Sequence, residues 1–352
     1  MTREERKLQK HFQQHAKDQL RKLAQKQKKQ RRADVGRVSD LPSGWDDEPE
    51  VVRLPKRKPV PAGDASASGM IVETHAGGCV VLTAEEQVRC RCDFSIAAGD
   101  RVLFSAERRR IVEVLPRSSA LSRPDPHNPR IERMVAANID VVVNVVSVKA
   151  PPLRPGLIDR YLIAIENSGA EPLICVNKAD LIEDNGADVT ALLQPYRWLG
   201  VTIVQCSAAT GDGISELANL LAGRVSVFAG HSGVGKSSLL NALAPGLDIT
   251  TGAVSEVHET GRHTTTASKL YRLPGGGVII DTPGIREFGL WQVTADQVRR
   301  YFHEFDALSR SCAFSNCSHT HEPNCAVLPA IAAGVVSAAR YDSYRRIKES
   351  VC

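Results

Sequence analysis

The residues from Gly230 to Ser237 read GHSGVGKS, a glycine-rich run that ends in lysine and serine. Glycines at this spacing let backbone N–H groups wrap around phosphates, and a following helix adds positive potential from its N-terminus. Lys236 would bridge the β- and γ-phosphates, and the Ser237 hydroxyl would ligate Mg²⁺. By itself the pattern also suits a glycine-rich turn. Between a strand and a helix it predicts a phosphate-binding loop made of Gly230, His231, Ser232, Gly233, Val234, Gly235, Lys236, Ser237 and Ser238.

A second motif reads NKAD and comprises Asn177, Lys178, Ala179 and Asp180. The Asp180 carboxylate can accept hydrogen bonds from guanine donors that adenine lacks, and such discrimination is on the order of 10⁴ or more. Lys178 would cover the base with its aliphatic stem, and Asn177 would tie this loop to the phosphate loop. Further along the chain, backbone N–H groups at Ser207 and Ala208 would meet guanine O6. The two motifs together predict that the nucleotide is GTP or GDP.

DTPG, from Asp281 to Gly284, is typical of a loop that senses the γ-phosphate. Asp281 would hold Mg²⁺ through water, and the Gly284 N–H would bind the γ-phosphate. The sequence GRHTTT at residues 261–266 lies where the first switch of a GTPase belongs, and we expect Thr265 to ligate Mg²⁺ beside Ser237. A plain solvated loop is the alternative for this threonine run.

Four metal-ligating side chains fall within fourteen residues near the C-terminus. They are Cys312, Cys317, His319 and Cys325. Three thiolates and one imidazole suit a closed tetrahedral Zn²⁺ site with a structural role. Reduced structural cysteines are the alternative, and His321 is a competing ligand because it lies two residues from His319.

The nucleotide motifs each follow a continuous apolar run, which indicates strands buried on both faces of a parallel sheet. The runs are residues 139–146, 172–176, 201–205, 225–229 and 277–280, with a helix predicted over 157–167. The guanine motifs come first and the phosphate loop follows, whereas an ordinary small GTPase has the opposite order. Circular permutation preserves one spatial site when the original termini lie close together. We therefore predict a circularly permuted α/β phosphate-loop GTPase domain over residues 116–290.

The remaining segments predict a multidomain protein. Five short β-type runs between residues 69 and 115 favour a small β-barrel, with the OB-fold as the best match and a sandwich fragment or plain meander as alternatives. Residues 1–68 are predicted to be a basic tail and disordered linker, and residues 291–352 a small zinc-binding α domain. A second group of prolines, from Pro116 to Pro129, is expected to close the barrel domain.

Composition narrows the class of protein. The net charge of +5 is unevenly distributed along the chain. Residues 1–32 form a basic tail with twelve Lys and Arg against three acidic residues. A basic tail on a near-neutral body indicates a phosphate-rich partner. No apolar run approaches the roughly 20 residues that span a bilayer, and no signal-peptide core is visible. Nine cysteines, an odd number, favour reduced thiols or metal ligands. We expect a cytoplasmic protein without membrane contact.

The combination of barrel, GHSGVGKS, GRHTTT, DTPG and terminal Cys/His cluster resembles the circularly permuted, ribosome-small-subunit-dependent GTPases (the RsgA or YjeQ family) over roughly residues 70 to 350. The resemblance implies an OB-fold, a GTPase domain and a zinc-binding domain. It also implies a late role in maturing the small (30S) ribosomal subunit, which would stimulate GTP hydrolysis. Ile285 stands where many GTPases have a water-orienting glutamine, so His263 in the first switch is the candidate catalytic residue. Contact of His263 with RNA or solvent only is the alternative.

Three features favour an RNA-containing partner: the basic tail, the barrel, and a C-terminal stretch with Arg340, Tyr341, Tyr344, Arg345, Arg346 and Lys348. The resemblance implies that this RNA is the 16S rRNA of the small subunit. The leading hypothesis is a GTP-driven switch that docks on the immature subunit, hydrolyses GTP and leaves. An RNA-binding scaffold and a signalling GTPase with a protein partner are the alternatives. No feature indicates oligomerisation, so a monomer is expected.

Overall fold

The computed structural model describes residues 66–75, 77–93, 95–124, 128, 132–182, 187–245, 269–281, 290 and 293–351. The strands in these residues are β1 (Ala67–His75), β2 (Gly78–Leu82), β3 (Gln87–Arg91), β4 (Arg101–Ser105), β5 (Arg110–Val114), β6 (Ala120–Pro124), β7 (Glu132–Ala137), β8 (Val141–Ser147), β9 (Glu171–Asn177), β10 (Thr202–Gln205), β11 (Val225–Ala229), β12 (Lys269–Arg272) and β13 (Val278–Asp281). The helices are α1 (Pro155–Ser168), α2 (Ala187–Trp198), α3 (Ile214–Leu221), α4 (Lys236–Leu243), α5 (Ala295–Val298), α6 (Asp306–Ser309), α7 (Val327–Ala332) and α8 (Ala338–Ser350).

Strands β1 to β5 form a closed barrel. They are ordered β1-β2-β3-β5-β4, and β4 pairs back with β1. Their inward side chains, including Ile71, Val81, Val102, Phe104 and Ile111, are almost fully buried because strand alternation turns every second residue into the barrel. The OB-fold prediction is confirmed.

The GTPase sheet is ordered β10-β9-β8-β11-β13-β12. The first five strands are parallel, and β12 runs antiparallel to β13. The carboxyl ends of the parallel strands therefore share one edge, where ligands of open α/β sheets bind. The predicted motifs begin at that edge: NKAD at the last residue of β9, DTPG at the last residue of β13, and the phosphate loop directly after β11.

The barrel continues into this sheet, because Glu73 of β1 pairs with Lys269 of β12. A partly buried ion pair lies at the junction: Arg117 Nε is 2.7 Å from Asp100 Oδ1, and Asp100 is fully buried. The division of the chain at residues 115 and 116 stays a prediction.

Helix α1 has two buried faces. Ile158, Tyr161 and Ile165 pack against the sheet, whereas Ile163 packs into the C-terminal core. Pro155 opens the helix, and Gly169 ends it in the left-handed conformation with φ of 81°. The predicted helix over 157–167 is confirmed with slightly wider bounds.

The C-terminal residues form a helical domain around an aromatic core. The ring centroids of Phe302 and Phe305 lie 5.5 Å apart, and Tyr344 of α8 lies 5.2 Å from each ring. This core packs on α1 through Ile163. Among the helices that the structure describes, none is long and apolar enough to cross a membrane.

Three strands, β6, β7 and β12, were not predicted from the sequence. The first two form an antiparallel pair that begins within the proline group predicted to close the barrel domain. Pro124 is the last residue of β6, so it does not interrupt that strand. The short strand β12 also went unpredicted. Its four residues, KLYR, offer too little apolar alternation to be recognised outside their sheet.

Candidate nucleotide and metal sites

The phosphate loop lies between β11 and α4 as predicted. Gly230 has a φ of 151°, and a Cβ there would lie 2.2 Å from the carbonyl oxygen of Val145, so only glycine fits. Lys236 Nζ donates to the carbonyl oxygens of Gly230 at 2.6 Å and His231 at 2.9 Å. The ammonium group therefore lies inside the curve of the loop, where a phosphate would be held.

Asn177 connects the guanine loop to the phosphate loop. Its side chain is 1% exposed, and its Nδ2 donates to the Val234 carbonyl oxygen at 2.8 Å. Its Oδ1 accepts from the Ala208 N–H at 3.2 Å. A Cβ at Gly235 would lie 2.3 Å from Asn177 Nδ2, so this glycine makes room for the amide. The buried Asn177 side chain thus joins the guanine loop to the phosphate loop, as predicted, and also to the loop that carries Ala208.

Asp180 is oriented by Ser207. The Ser207 hydroxyl donates to Asp180 Oδ1 at 2.6 Å, and Ser207 is fully buried. Its backbone N–H donates to the Asp212 carbonyl oxygen at 2.9 Å. Ser207 therefore aligns the carboxylate, a role the sequence did not suggest. Recognition of guanine O6 by N–H groups of this loop stays a prediction.

Lys178 adopts a left-handed backbone with φ of 60°, and its ammonium group donates to the Ala150 carbonyl oxygen. Ala179 begins the 3₁₀ turn Ala179–Leu181. Ser237 and Ser238 lie in the first turn of α4, and Asp281 is the last residue of β13. His263, Thr265 and Gly284 lie outside the described residues, so their roles stay predictions.

The predicted zinc ligands converge. The ligand atoms of Cys312, Cys317, His319 and Cys325 all lie within 4.8 Å of one another. His319 Nδ1 lies 3.7 Å from Cys312 Sγ and 3.5 Å from Cys325 Sγ. A tetrahedral Zn²⁺ with bonds of about 2.0–2.3 Å has donor–donor edges of roughly 3.5–3.8 Å, so the donor set fits this ion. His321 is exposed and bonds to Thr320, outside the cluster.

Supporting groups orient His319. Its Nε2 lies 3.0 Å from the Ser309 hydroxyl, which leaves Nδ1 for the metal. Burial lowers the pKa of His319, which favours the neutral form that ligates. Burial raises the pKa of Cys317 to about 12, so metal binding would release its proton. The sequence carried no signal for Ser309, because its link to His319 depends on the fold of α6.

The C-terminal stretch predicted as an RNA surface is largely turned inward, so that prediction needs correcting. Arg340 is 3% exposed and Tyr344 is 1% exposed. The Tyr341 hydroxyl donates to the His319 carbonyl oxygen at 2.7 Å, and the Tyr344 hydroxyl to that of Ser318 at 2.6 Å. The aromatic residues pack beneath the Cys/His loop, and of this stretch Arg345 and Arg346 are exposed.

The sheet order and the loops at its carboxyl edge define a circularly permuted phosphate-loop GTPase. The family model of the RsgA GTPase matches residues 114–291. The small ribosomal subunit biogenesis GTPase RsgA of Pseudomonas putida is 46% identical over 276 residues, 76% of this chain and 80% of that protein. The RsgA of Pseudomonas aeruginosa is 44% identical over 292 residues, 81% of this chain and 85% of that protein.

Solved structures agree. The crystal structure of YjeQ from Thermotoga maritima matches with a TM-score of 0.66 and 33% identity, over 81% of this chain and 98% of that one. YloQ, a circularly permuted GTPase, matches with a TM-score of 0.63 and 27% identity, over 81% of this chain and 94% of that one. The chain belongs to the RsgA GTPase family, and it is a GTP hydrolase.

Proposed function

We propose that this GTPase binds the small (30S) ribosomal subunit through its 16S rRNA and assists late maturation of the subunit. The subunit stimulates hydrolysis, and hydrolysis releases the protein. It acts as a cytoplasmic monomer. The curated relatives support this proposal, since they are small ribosomal subunit biogenesis GTPases. The observation in this chain that carries it is an arginine-lined groove on the barrel.

The groove lies between β2, β3 and the turn before β5, and has a volume of about 640 Å³. Arg89, Arg91, Arg108 and Arg109 line it and are exposed, and Glu107 is the one acidic residue among the lining residues. Arginine binds phosphate oxygens with paired N–H groups, and a groove with four arginines against one glutamate suits a polyanion. The barrel therefore offers an RNA-backbone site on the same continuous sheet as the nucleotide loops.

The nucleotide chemistry is assigned to the predicted loops. Lys236 binds the β- and γ-phosphates, and Asp180, aligned by Ser207, accepts from guanine. Ser237 and Thr265 would ligate Mg²⁺, and Asp281 would hold it through water. When bound with GTP, this ion neutralises phosphate charge. Gly284 would bind the γ-phosphate, and His263 would orient or deprotonate the attacking water when the protein is bound to RNA.

The Cys/His cluster would bind one Zn²⁺ with a structural role. Its donor set of three thiols and one imidazole is closed and leaves no position for a substrate. The ion would stabilise the loop that carries Ser318 and His319, whose carbonyl oxygens bond to α8.

The first test is GTP hydrolysis by the purified protein, with and without small subunits, with ATP as the control. We expect stimulation by the subunit for GTP alone. GTP turnover without stimulation would contradict the ribosomal partner and keep the GTPase. The double variant Arg89→Ala, Arg91→Ala should weaken salt-sensitive co-sedimentation with small subunits, whereas Glu85→Ala, exposed on the β2–β3 turn outside the groove, should not.

The role of His263 has its own test. His263→Ala should abolish subunit-stimulated turnover and leave GTP affinity nearly unchanged. His321→Ala, an exposed histidine outside the metal cluster, is the matched control. Full stimulation in the His263 variant would rule out the catalytic role.

A further inference from the structure

A buried cation joins the C-terminal domain to the GTPase domain. Arg340 of α8 donates from Nη1 to Asp159 Oδ1 at 2.6 Å, and from Nε and Nη2 to the Glu304 carboxylate at 2.7 and 3.0 Å. Asp159 belongs to α1 and is fully buried, and Arg340 is 3% exposed. Burial alone would lower the pKa of Arg340, but the carboxylates of Glu304 and Asp159 raise it, so the guanidinium stays ionised.

Asp159 depends on this contact. Its second oxygen, Oδ2, is buried and has no hydrogen-bond partner. A buried carboxylate with half of its acceptor capacity unused is costly unless a cation faces it. Arg340 is that cation, since no other Lys, Arg or His in the described part of the chain forms an ion pair with Asp159.

The same guanidinium lies near the beginning of α1. Its central carbon is 5.6 Å from the ring centroid of Tyr196, within cation–π distance. The Tyr196 hydroxyl donates to the carbonyl oxygen of Pro155, the first residue of α1, at 3.0 Å. Arg340 therefore acts on the α1 N-terminus twice, through Asp159 and through Tyr196.

Residues 148–154, which lead directly into α1, touch both nucleotide loops. The Ala150 carbonyl oxygen accepts from the ammonium of Lys178 in the guanine loop. The next residue, Pro151, lies beside the phosphate loop, where a Cβ on Gly233 would be 3.5 Å from Pro151 Cδ. The Pro151 carbonyl accepts from the Ser147 hydroxyl at 2.7 Å, which holds this segment to the end of β8.

We propose that Arg340 is a positioning residue for nucleotide binding: it holds the α1 N-terminus, and with it residues 148–154, against the guanine and phosphate loops. The inference rests on the proposed nucleotide site. It makes the metal-binding domain a determinant of nucleotide affinity, although Arg340 touches neither ligand. Such coupling is reciprocal, so bound nucleotide also stabilises α8.

The test is the release rate of a fluorescent GDP analogue from the full-length protein with its metal in place. Arg340→Lys keeps the charge but cannot bond Asp159 and Glu304 together, because lysine lacks the planar fork. We expect release to accelerate by about two- to thirtyfold, the range of coupling changes of this kind. Arg345→Met is the control. Arg345 is exposed on the same helix, and its ion pair with Glu349 is long, at 3.9 Å.

A second readout separates positioning from mere stability. In hydrogen exchange, GDP should protect residues 338–350 in the wild type and in the Arg345→Met control, and should not protect them in Arg340→Lys. If Arg340→Lys fails to fold, the neutral triple variant Asp159→Asn, Glu304→Gln, Arg340→Met takes its place, because joint neutralisation of a buried ion cluster is often tolerated.

Release at the control rate, with GDP protection of α8 intact, would overturn the proposal even if the variant melts at a lower temperature. Failure of the wild type itself to bind the GDP analogue would instead refute the proposed nucleotide site. The two failures are therefore distinguishable in one assay.

Discussion

The nucleotide loops and the Cys/His cluster bind their ligands on different structural principles. At the nucleotide loops, protein groups hold one another: Asn177 bonds to Val234 and Ala208, and Lys236 bonds to its own loop. In the cluster, four potential ligand atoms lie within 4.8 Å of one another, an arrangement that a shared cation would stabilise. The comparison teaches that protein–protein hydrogen bonds preform the first site for an exchangeable ligand, whereas the second would depend on the proposed metal for its stability.

The largest effect should therefore come from the cluster. Cys325→Ser removes one donor, and structural zinc sites contribute on the order of 10 kcal/mol to folding. We expect loss of bound zinc and loss of hydrogen-exchange protection in α8. Cys92→Ser, a partly exposed cysteine of the barrel region, is the control. If α8 kept its hydrogen-exchange protection after zinc was lost, the cluster would not depend on its ligand, and the proposed difference between the two sites would be wrong.

Lys236→Ala should lower activity without lowering stability, the opposite of Cys325→Ser. We expect intrinsic kcat/KM for GTP to fall by about 10²–10³, the usual loss for one electrostatic group at a reacting centre. The melting temperature should stay near that of the wild type, because the loop retains its glycine geometry. Arg346→Ala, exposed on α8, serves as the control. A strongly lowered melting temperature would show that the loop is not preformed.

Asn177 tests how far preformation depends on one side chain. Asn177→Ala leaves the Val234 carbonyl and the Ala208 N–H without their buried partner, which should cost about 1–3 kcal/mol of unfolding free energy. Asn177→Asp keeps the acceptor for Ala208 but turns a buried carboxylate oxygen toward the Val234 carbonyl oxygen, so we expect a loss at least as large as that of Asn177→Ala. Urea unfolding and GDP affinity, measured together, check both variants. A clearly smaller loss in Asn177→Asp than in Asn177→Ala would contradict the assignment of the donor bond to Val234.

The smallest effect concerns the pH dependence of stability at the contact between α1 and the C-terminal helical domain. His303 Nε2 lies 3.0 Å from Glu166 Oε1 of α1. Burial opposes the charge of His303, but hydrogen bonds to Asp306 and Glu166 raise its pKa to about 10. Because the pKa of His303 is higher in the folded state, its protonated form stabilises the fold. This contribution to the free energy of unfolding is fully present below the unfolded-state pKa of about 6.5 and is lost as the pH rises through about 10.

The stability difference between the wild type and His303→Gln should therefore shrink from pH 6 to pH 10 in urea unfolding. His321→Gln, exposed and away from α1, should show no such trend. A constant difference across this range would mean that His303 does not carry its charge at the contact.

Much of the fold and of the candidate sites follows from the sequence alone. The five barrel strands and the parallel strands before each motif were predicted within a few residues, and the four Cys and His side chains that converge were named. The reason is that each signal is local: alternation or a continuous apolar run within one strand, and ligands within one loop. The inward turn of Tyr344 and Arg340 was not predicted, because a helix rich in arginine and tyrosine has the composition of a surface as much as of an interface.

The sequence by itself determined which chemistry the chain carries, because GHSGVGKS, NKAD and the Cys/His cluster are contiguous and their geometry follows from a single turn or loop. Only the tertiary structure decided how these parts are joined. Asn177 and Val234 are 57 residues apart, and Asp159 and Arg340 are 181 apart. Such pairs leave no periodic or spacing signal, since their partners meet only after the sheet has formed and α8 has packed on α1.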